Sequence, residues 1–239
     1  MRDKGQIVYN KDDSILEEIL SPFLYKKQPF STKSKDVLYN IDNKNIIGPS
    51  DDKILEIDEL GIPGEHNLQN FLAASTCSHL MGISQNQIVK SMKEFKGVEH
   101  RLEYVRTINE ADYINDSKAT NIDSVIVAIN TYKQPIVLIL GGFNKGANFR
   151  LLLPHIKSSH VRDIVSYGDA GGQINTALGD AVRSVQVTDL SSAVKKAQLM
   201  AAPGDIVLLS PGCASYDEFS NFEERGNHFK SIIKSIAIS

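Results

Sequence analysis

One short stretch holds the densest set of reactive groups in this 239-residue chain: Tyr113-Ile-Asn-Asp-Ser-Lys-Ala-Thr-Asn121. Asp116 offers a carboxylate, Lys118 an ammonium, Ser117 and Thr120 hydroxyls, and Asn115 and Asn121 amides. Such a mixture suits a small polar anion, held by a point charge and by neutral donors. The stretch begins like a strand, and the run 124–130 after it reads as a buried helix. A strand, a polar loop and a helix start is where open α/β sheets bind ligands. Asn, Asp, Ser and Thr are also the residues that cap helices, so capping accounts for any one of them but not for the clustering.

Two further strand ends carry similar loops. Pro135-Ile-Val-Leu-Ile-Leu140 is apolar without alternation, as in a parallel strand buried on both faces, and it runs into Gly141-Gly-Phe-Asn-Lys-Gly146. The glycines allow close backbone approach to a ligand, and Lys145 supplies a charge. This is not a Walker A loop, whose Gly-x-x-x-x-Gly-Lys-Ser/Thr spacing occurs nowhere in the chain. The strand 205–210 feeds Pro211-Gly-Cys-Ala-Ser-Tyr-Asp-Glu218. There Ser215 and Glu218 have capping-box spacing for a final helix over 218–236, whose N-terminus can grip a carboxylate or phosphate. Cys213 has no histidine near it in sequence and is a weak candidate nucleophile. In a parallel sheet the three loops converge on one edge, which describes a site for an anionic small molecule.

The elements that must position these groups fall into two domains, 1–98 and 99–239. The first reads as strands at 6–10 and 53–57, a short helix over 15–19, and a hairpin from 37 to 47 with a polar four-residue turn, 42–45. Two helices follow. One starts at His66, Asn67 and Asn70 and stops at Gly82. The other is opened by the capping box Ser84-Gln-Asn-Gln87. The second domain opens on Glu99-His-Arg101 and continues as alternating strands and helices, an α/β, Rossmann-like, mostly parallel sheet. A net charge of -3 at pH 7 and a pI near 6.1 give no electrostatic case for nucleic acid or an anionic membrane. Two cysteines far apart in sequence suit a reducing compartment. The polar start shows no secretory signal and the apolar runs are strand-sized, so a cytoplasmic protein is expected.

The motifs resemble those of a known family. Gly64-Glu-His-Asn-Leu-Gln-Asn70, Gly97-Val-Glu-His-Arg101, Asn115-Asp-Ser-Lys-Ala-Thr-Asn121 and Gly141-Gly-x-x-Lys-Gly146 come in order. Leu208-Leu-Ser-Pro-x-Cys-Ala-Ser-x-Asp-x-Phe219 and Asn221-Phe-Glu-x-Arg-Gly226 follow them. Together, over residues 7–235, they look like the Mur ligases, and within them the MurD-type branch that adds D-glutamate. The resemblance implies that residues 1–98 are the tail of the family's central P-loop ATPase domain. It also implies ATP-dependent C–N bond formation in peptidoglycan synthesis. The carboxylate of UDP-N-acetylmuramoyl-L-alanine is activated as an acyl phosphate, the amine of D-glutamate attacks it, and phosphate leaves.

By motif position, Thr120, Lys145, Ser215 and Phe222 look like the D-glutamate contacts, Phe222 through its backbone N–H, with Tyr216 lining the pocket. Lys118 falls to the active site. Asn67, Asn70, Arg101 and Asp116 match nucleotide contacts: Asn70 near adenine, Arg101 toward phosphate, Asp116 toward ribose. The family's uridine-nucleotide domain, its Gly-x-x-Gly-Lys-Thr/Ser loop, its modified lysine and most of its Mg²⁺ ligands would lie before Met1. The resemblance therefore implies that this chain alone makes no product. A non-catalytic module that holds D-glutamate or a nucleotide is the alternative. A generic dinucleotide domain is disfavoured, since no Gly-x-Gly-x-x-Gly follows a strand.

Overall fold

A computed structural model describes residues 5–62 and 64–237, with the side chains of 65 and 66 outside the description. The chain divides into two compact units, Met1–Lys96 and Gly97–Ser239.

In the first unit β1 (Gln6–Asn10) pairs in parallel with β2 (Lys26–Phe30), across α1 (Ser14–Leu20). Asp13 caps α1 by accepting from the backbone N–H groups of Ile15 and Leu16. The strands β3 (Asn40–Asp42), β4 (Asn45–Ile47) and β5 (Lys53–Glu56) form an antiparallel sheet. The β3–β4 turn is shorter than the four residues expected. Asp42 and Asn45 pair directly, and only Asn43 and Lys44 remain between them. Asn43 takes φ 56, the left-handed conformation that a tight hairpin needs and asparagine tolerates. After a 3₁₀ turn at Ile57–Glu59 come α2 (Glu65–Leu80) and α3 (Gln85–Glu94), the latter opened by the expected Ser84/Gln87 box. Phe30, Tyr39, Ile46, Leu55, Phe71, Leu72, Ile88 and Met92 make this unit's core. The helix α1 buries none of its residues, and Ile15, Ile19 and Leu24 are exposed.

The second unit alternates strand and helix: β6 (Glu103–Ile108), β7 (Ala111–Asn115), α4 (Ile122–Thr131), β8 (Ile136–Gly141), α5 (Leu153–Ser158) and β9 (Val161–Tyr167). Then follow α6 (Gly171–Leu178), β10 (Arg183–Gln186), α7 (Leu190–Met200), β11 (Ile206–Gly212) and α8 (Phe222–Ser235). The strand order is β10-β9-β8-β11-β7-β6, parallel except for β6. Every residue of β8 and β11 is buried, because helices cover both faces of the sheet. One face packs Val125, Ile129, Leu138 and Ile174 against α4, α5 and α6. The other packs Ile139, Leu190, Val194, Phe229 and Ile233 against α7 and α8. The chain winds outward from β7 through β8 and β9 to β10, then returns to place β11 between β7 and β8. That reversal sets the carboxyl ends of β7, β11 and β8 side by side, the usual ligand edge of an open α/β sheet.

Candidate functional site

The loops that follow these three strands are tied together by backbone hydrogen bonds. Asp116 N–H donates to Leu209 C=O at 2.8 Å and Gly212 N–H to Ala119 C=O at 2.9 Å, joining the 115–121 loop to β11. Phe143 and Ala214 exchange backbone bonds at 2.9 and 3.1 Å, joining the loop after β8 to the loop after β11. Gly142 sits at φ 119, and a Cβ there would stand 2.3 Å from Ala214 O, so only glycine lets the two loops approach this closely.

Along the first loop, Asp116 is 5% exposed; it accepts from Ser210 Oγ at 2.8 Å and from Leu102 N–H at 3.2 Å. Burial pushes its carboxyl up to about 7, against the pull of those two donors and of the Arg101 charge. Lys118 is exposed, with Nζ 5.8 Å from the centroid of the Phe222 ring, within cation–π range. Phe222, the first residue of α8, meets the His100 ring edge-on at 6.2 Å. Thr120 is half-buried, and the next residue, Asn121, caps α4 by accepting from Ser124 N–H at 2.9 Å. The capping reading therefore holds for Asn121.

In the second loop Lys145 is exposed, and its ammonium forms no hydrogen bond or ion pair among the described residues. In the third, Ser215 is buried and Tyr216 exposed. Ser215 does not cap the last helix. That helix starts later than expected, at Phe222, and Asn221 caps it by accepting from Glu224 N–H at 2.7 Å. The Glu218 carboxylate, which a box would turn back on Ser215, accepts instead from Leu190 N–H at the start of α7. Ser215 C=O accepts from Glu218 and Phe219 N–H, closing a turn. Cys213 is 2% exposed, and burial pushes its thiol up to about 12, which removes it as a nucleophile at neutral pH.

Arg101 is exposed in the second unit. Asn67 and Asn70 lie on the first turns of α2 in the first unit, Asn67 buried and Asn70 exposed. Gly64 caps that helix, so Asn67 is not its cap. The side chain of His66 lies outside the described residues. Lys118, Thr120, Lys145, Ser215, Tyr216, Phe222 and Asp116 thus belong to three linked loops and the helix start beside them.

Among the described residues, Glu99, His100 and Glu103 form the one group with metal-ligand spacing. The Lys230 ammonium bridges both of these carboxylates. A cation already in place, beside an imidazole, does not fit Mg²⁺, which asks for an octahedron of oxygens.

Arg225 is the residue that motif reading overlooked as an organiser. It is wholly buried, and its guanidinium bonds to both the first and the third loop. The signal was there: Arg225 stands four residues before Phe229 and eight before Ile233, on the apolar stripe of α8 where a leucine would be expected.

Known proteins resemble this chain in sequence and in fold. Residues 100–213 match the family model described as Mur ligase, glutamate ligase domain. The chain is 40% identical over 229 residues to UDP-N-acetylmuramoylalanine–D-glutamate ligase of Lactobacillus johnsonii, covering 93% of this chain and 49% of the relative. By the family match, residues 100–213 are a Mur ligase domain. The chain spans about half the length of the curated relatives it matches. Among solved Mur ligases, MurF from Acinetobacter baumannii superposes with a TM-score of 0.70 at 16% identity, over 98% of this chain and 52% of that one. MurF from Thermotoga maritima in complex with ADP gives 0.66 at 13%, over 99% and 55%. At those identities the likeness speaks for the fold alone. No helix among the described residues is long and apolar enough to cross a membrane.

Proposed function

We propose that the second unit is the amino-acid-accepting half of an ATP-dependent D-glutamate ligase of the Mur type. It holds D-glutamate while an acyl phosphate on UDP-N-acetylmuramoyl-L-alanine is attacked by the amine. The observation that carries the reading is the junction of the three loops. An exposed ammonium without an ion pair (Lys145), hydroxyls (Thr120, Ser215) and a helix N-terminus (Phe222) belong to segments bonded to one another. A dicarboxylate asks for such fixed donors, and donors held in advance lose little entropy on binding.

In this reading Thr120, Lys145, Ser215 and the Phe222 N–H hold the two carboxylates, and Tyr216 closes the pocket. Lys118 stands at the reacting end. Arg101 would contact phosphate and Asp116 the ribose; Asn67 and Asn70, in the first unit, are read as nucleotide contacts in their own right. ATP supplies the activation, as the ADP-bound relative suggests. Mg²⁺ would come with the nucleotide, most of its ligands lying outside the residues described here. The name of the Lactobacillus johnsonii relative supports D-glutamate as the amino acid.

Calorimetry tests the reading. The chain should bind D-glutamate with measurable heat and L-glutamate without it. Lys145→Ala should weaken the binding by about tenfold or more, as loss of a charge-assisted contact does. Equal heats for wild type and variant would refute the placement of the site.

A further inference from the structure

We propose that Arg225 is the positioning residue of the acceptor site: one buried guanidinium that holds its loops in register from beneath. For the substrate this rests on the D-glutamate reading; the clamp itself stands on contacts alone. The Arg225 Nε–H donates to Ser117 Oγ at 2.9 Å and Nη2–H to Ser117 C=O at 2.8 Å, both in the first loop. Nη1–H donates to Cys213 C=O at 3.0 Å and to Ala214 C=O at 3.1 Å, in the third. The second loop packs on it directly: a Cβ on Gly142 would stand 3.1 Å from Nη1. Ser117 Oγ passes the chain of bonds on, donating to Phe222 C=O at 2.8 Å.

Four of the proposed site residues lie close in sequence to an anchored atom. Lys118 follows Ser117, Ser215 follows Ala214, and Lys145 lies two residues past Phe143, the bridge partner of Ala214. Phe222 is anchored through its own carbonyl. A guanidinium leaves water at high cost unless its donors are met. Here carbonyls and a hydroxyl meet four of its five N–H groups, and among the described residues no carboxylate forms an ion pair with it. A leucine at 225 would fill the apolar stripe yet leave three buried carbonyls without this donor. A lysine would keep the charge but, as a single ammonium, could not span both loops as the planar fork does.

Amide hydrogen exchange on the full chain and on Arg225→Lys tests the clamp. The amides of Phe143, Gly212 and Ala214 bond between segments of the site and should exchange about tenfold faster in the variant. The β8 amides of residues 137–140 should keep wild-type protection. Wild-type rates at the loops would overturn the proposal. So would equal acceleration of loops and β8, which would make Arg225 a general support of the fold. If Arg225→Lys does not fold, Ser117→Ala removes one hydroxyl of the relay and is read at the Lys118 and Ala119 amides, where unchanged rates overturn the clamp. Arg225→Lys should also weaken D-glutamate by about tenfold; loosened loops with wild-type affinity would break the link to the site. A wild type that takes no D-glutamate would sink the acceptor-site reading, while the exchange data would still decide the clamp.

Discussion

Replacing Asp116 by asparagine should make the second unit more stable at mildly alkaline pH and remove much of its pH dependence. The carboxyl is raised from 3.8 to about 7 by burial under the first loop. Between those values the unfolded chain carries the anion and the folded chain the acid. Folding then takes up a proton, and each pH unit costs about 1.4 kcal/mol. The stability tied to this group is complete below about pH 4 and is lost as pH rises through about 7, up to about 4 kcal/mol in all. Asparagine reproduces the neutral acid: its carbonyl can accept from Leu102 N–H, and its amide can donate to Ser210 Oγ, the two partners the carboxyl now has. Urea unfolding read from β8 amide signals, at about pH 5 and about pH 8, supplies the comparison. The wild type should lose about 3 kcal/mol more than the variant over that span. Glu218, raised by burial, and His100, lowered by burial, titrate in both proteins and cancel in the difference. Parallel stability curves for the two proteins would refute the argument that burial governs Asp116.

Two other outcomes follow from local geometry. Gly226→Ala adds a good helix former inside α8, which by itself favours the helix by about 1 kcal/mol. Its Cβ would stand 2.2 Å from His100 Nδ1, however, and that ring is buried at φ 64 with Nδ1 3.0 Å from the Asn115 amide. Overpacking of this kind costs about 1–3 kcal/mol, so the melting temperature should fall; a rise would show that the ring yields freely. In native protein near neutral pH, iodoacetamide should label exposed Cys77 and spare buried Cys213, whose thiol is pushed up to about 12. Mass spectrometry showing both labelled at similar rates would contradict the burial of the third loop.

Much of this fold was legible because its signals are local. The unbroken apolar run at Ile136–Leu140 marked a strand covered on both faces, and β8 is buried throughout. Ser84 and Gln87 announced the start of α3, and Asn121 caps α4 as its residue type invites. Where the reading slipped, a side chain had a distant partner. Ser215 and Glu218 have capping-box spacing, yet Glu218 accepts from Leu190 N–H at the start of α7, twenty-eight residues earlier in the chain, where Asp189 is the cap. The β3–β4 turn closed by one left-handed asparagine, a backbone state that residue type permits but does not require.

The sequence by itself determined most of the strands and helices, though not β2 or α5, that the sheet of the second unit is mostly parallel, and which polar loops stand at strand ends. Residue type and spacing act within a turn or a strand, and they are written in order along the chain. Only the tertiary structure decided that β11 lies between β7 and β8, bringing those loops together. It also decided that an arginine on an apolar stripe joins them, and that burial raises the Asp116 carboxyl. Each of these depends on groups far apart in sequence sharing a space from which water is excluded. Hydrogen-bond partners and the cost of a charge are set there by what folding places alongside.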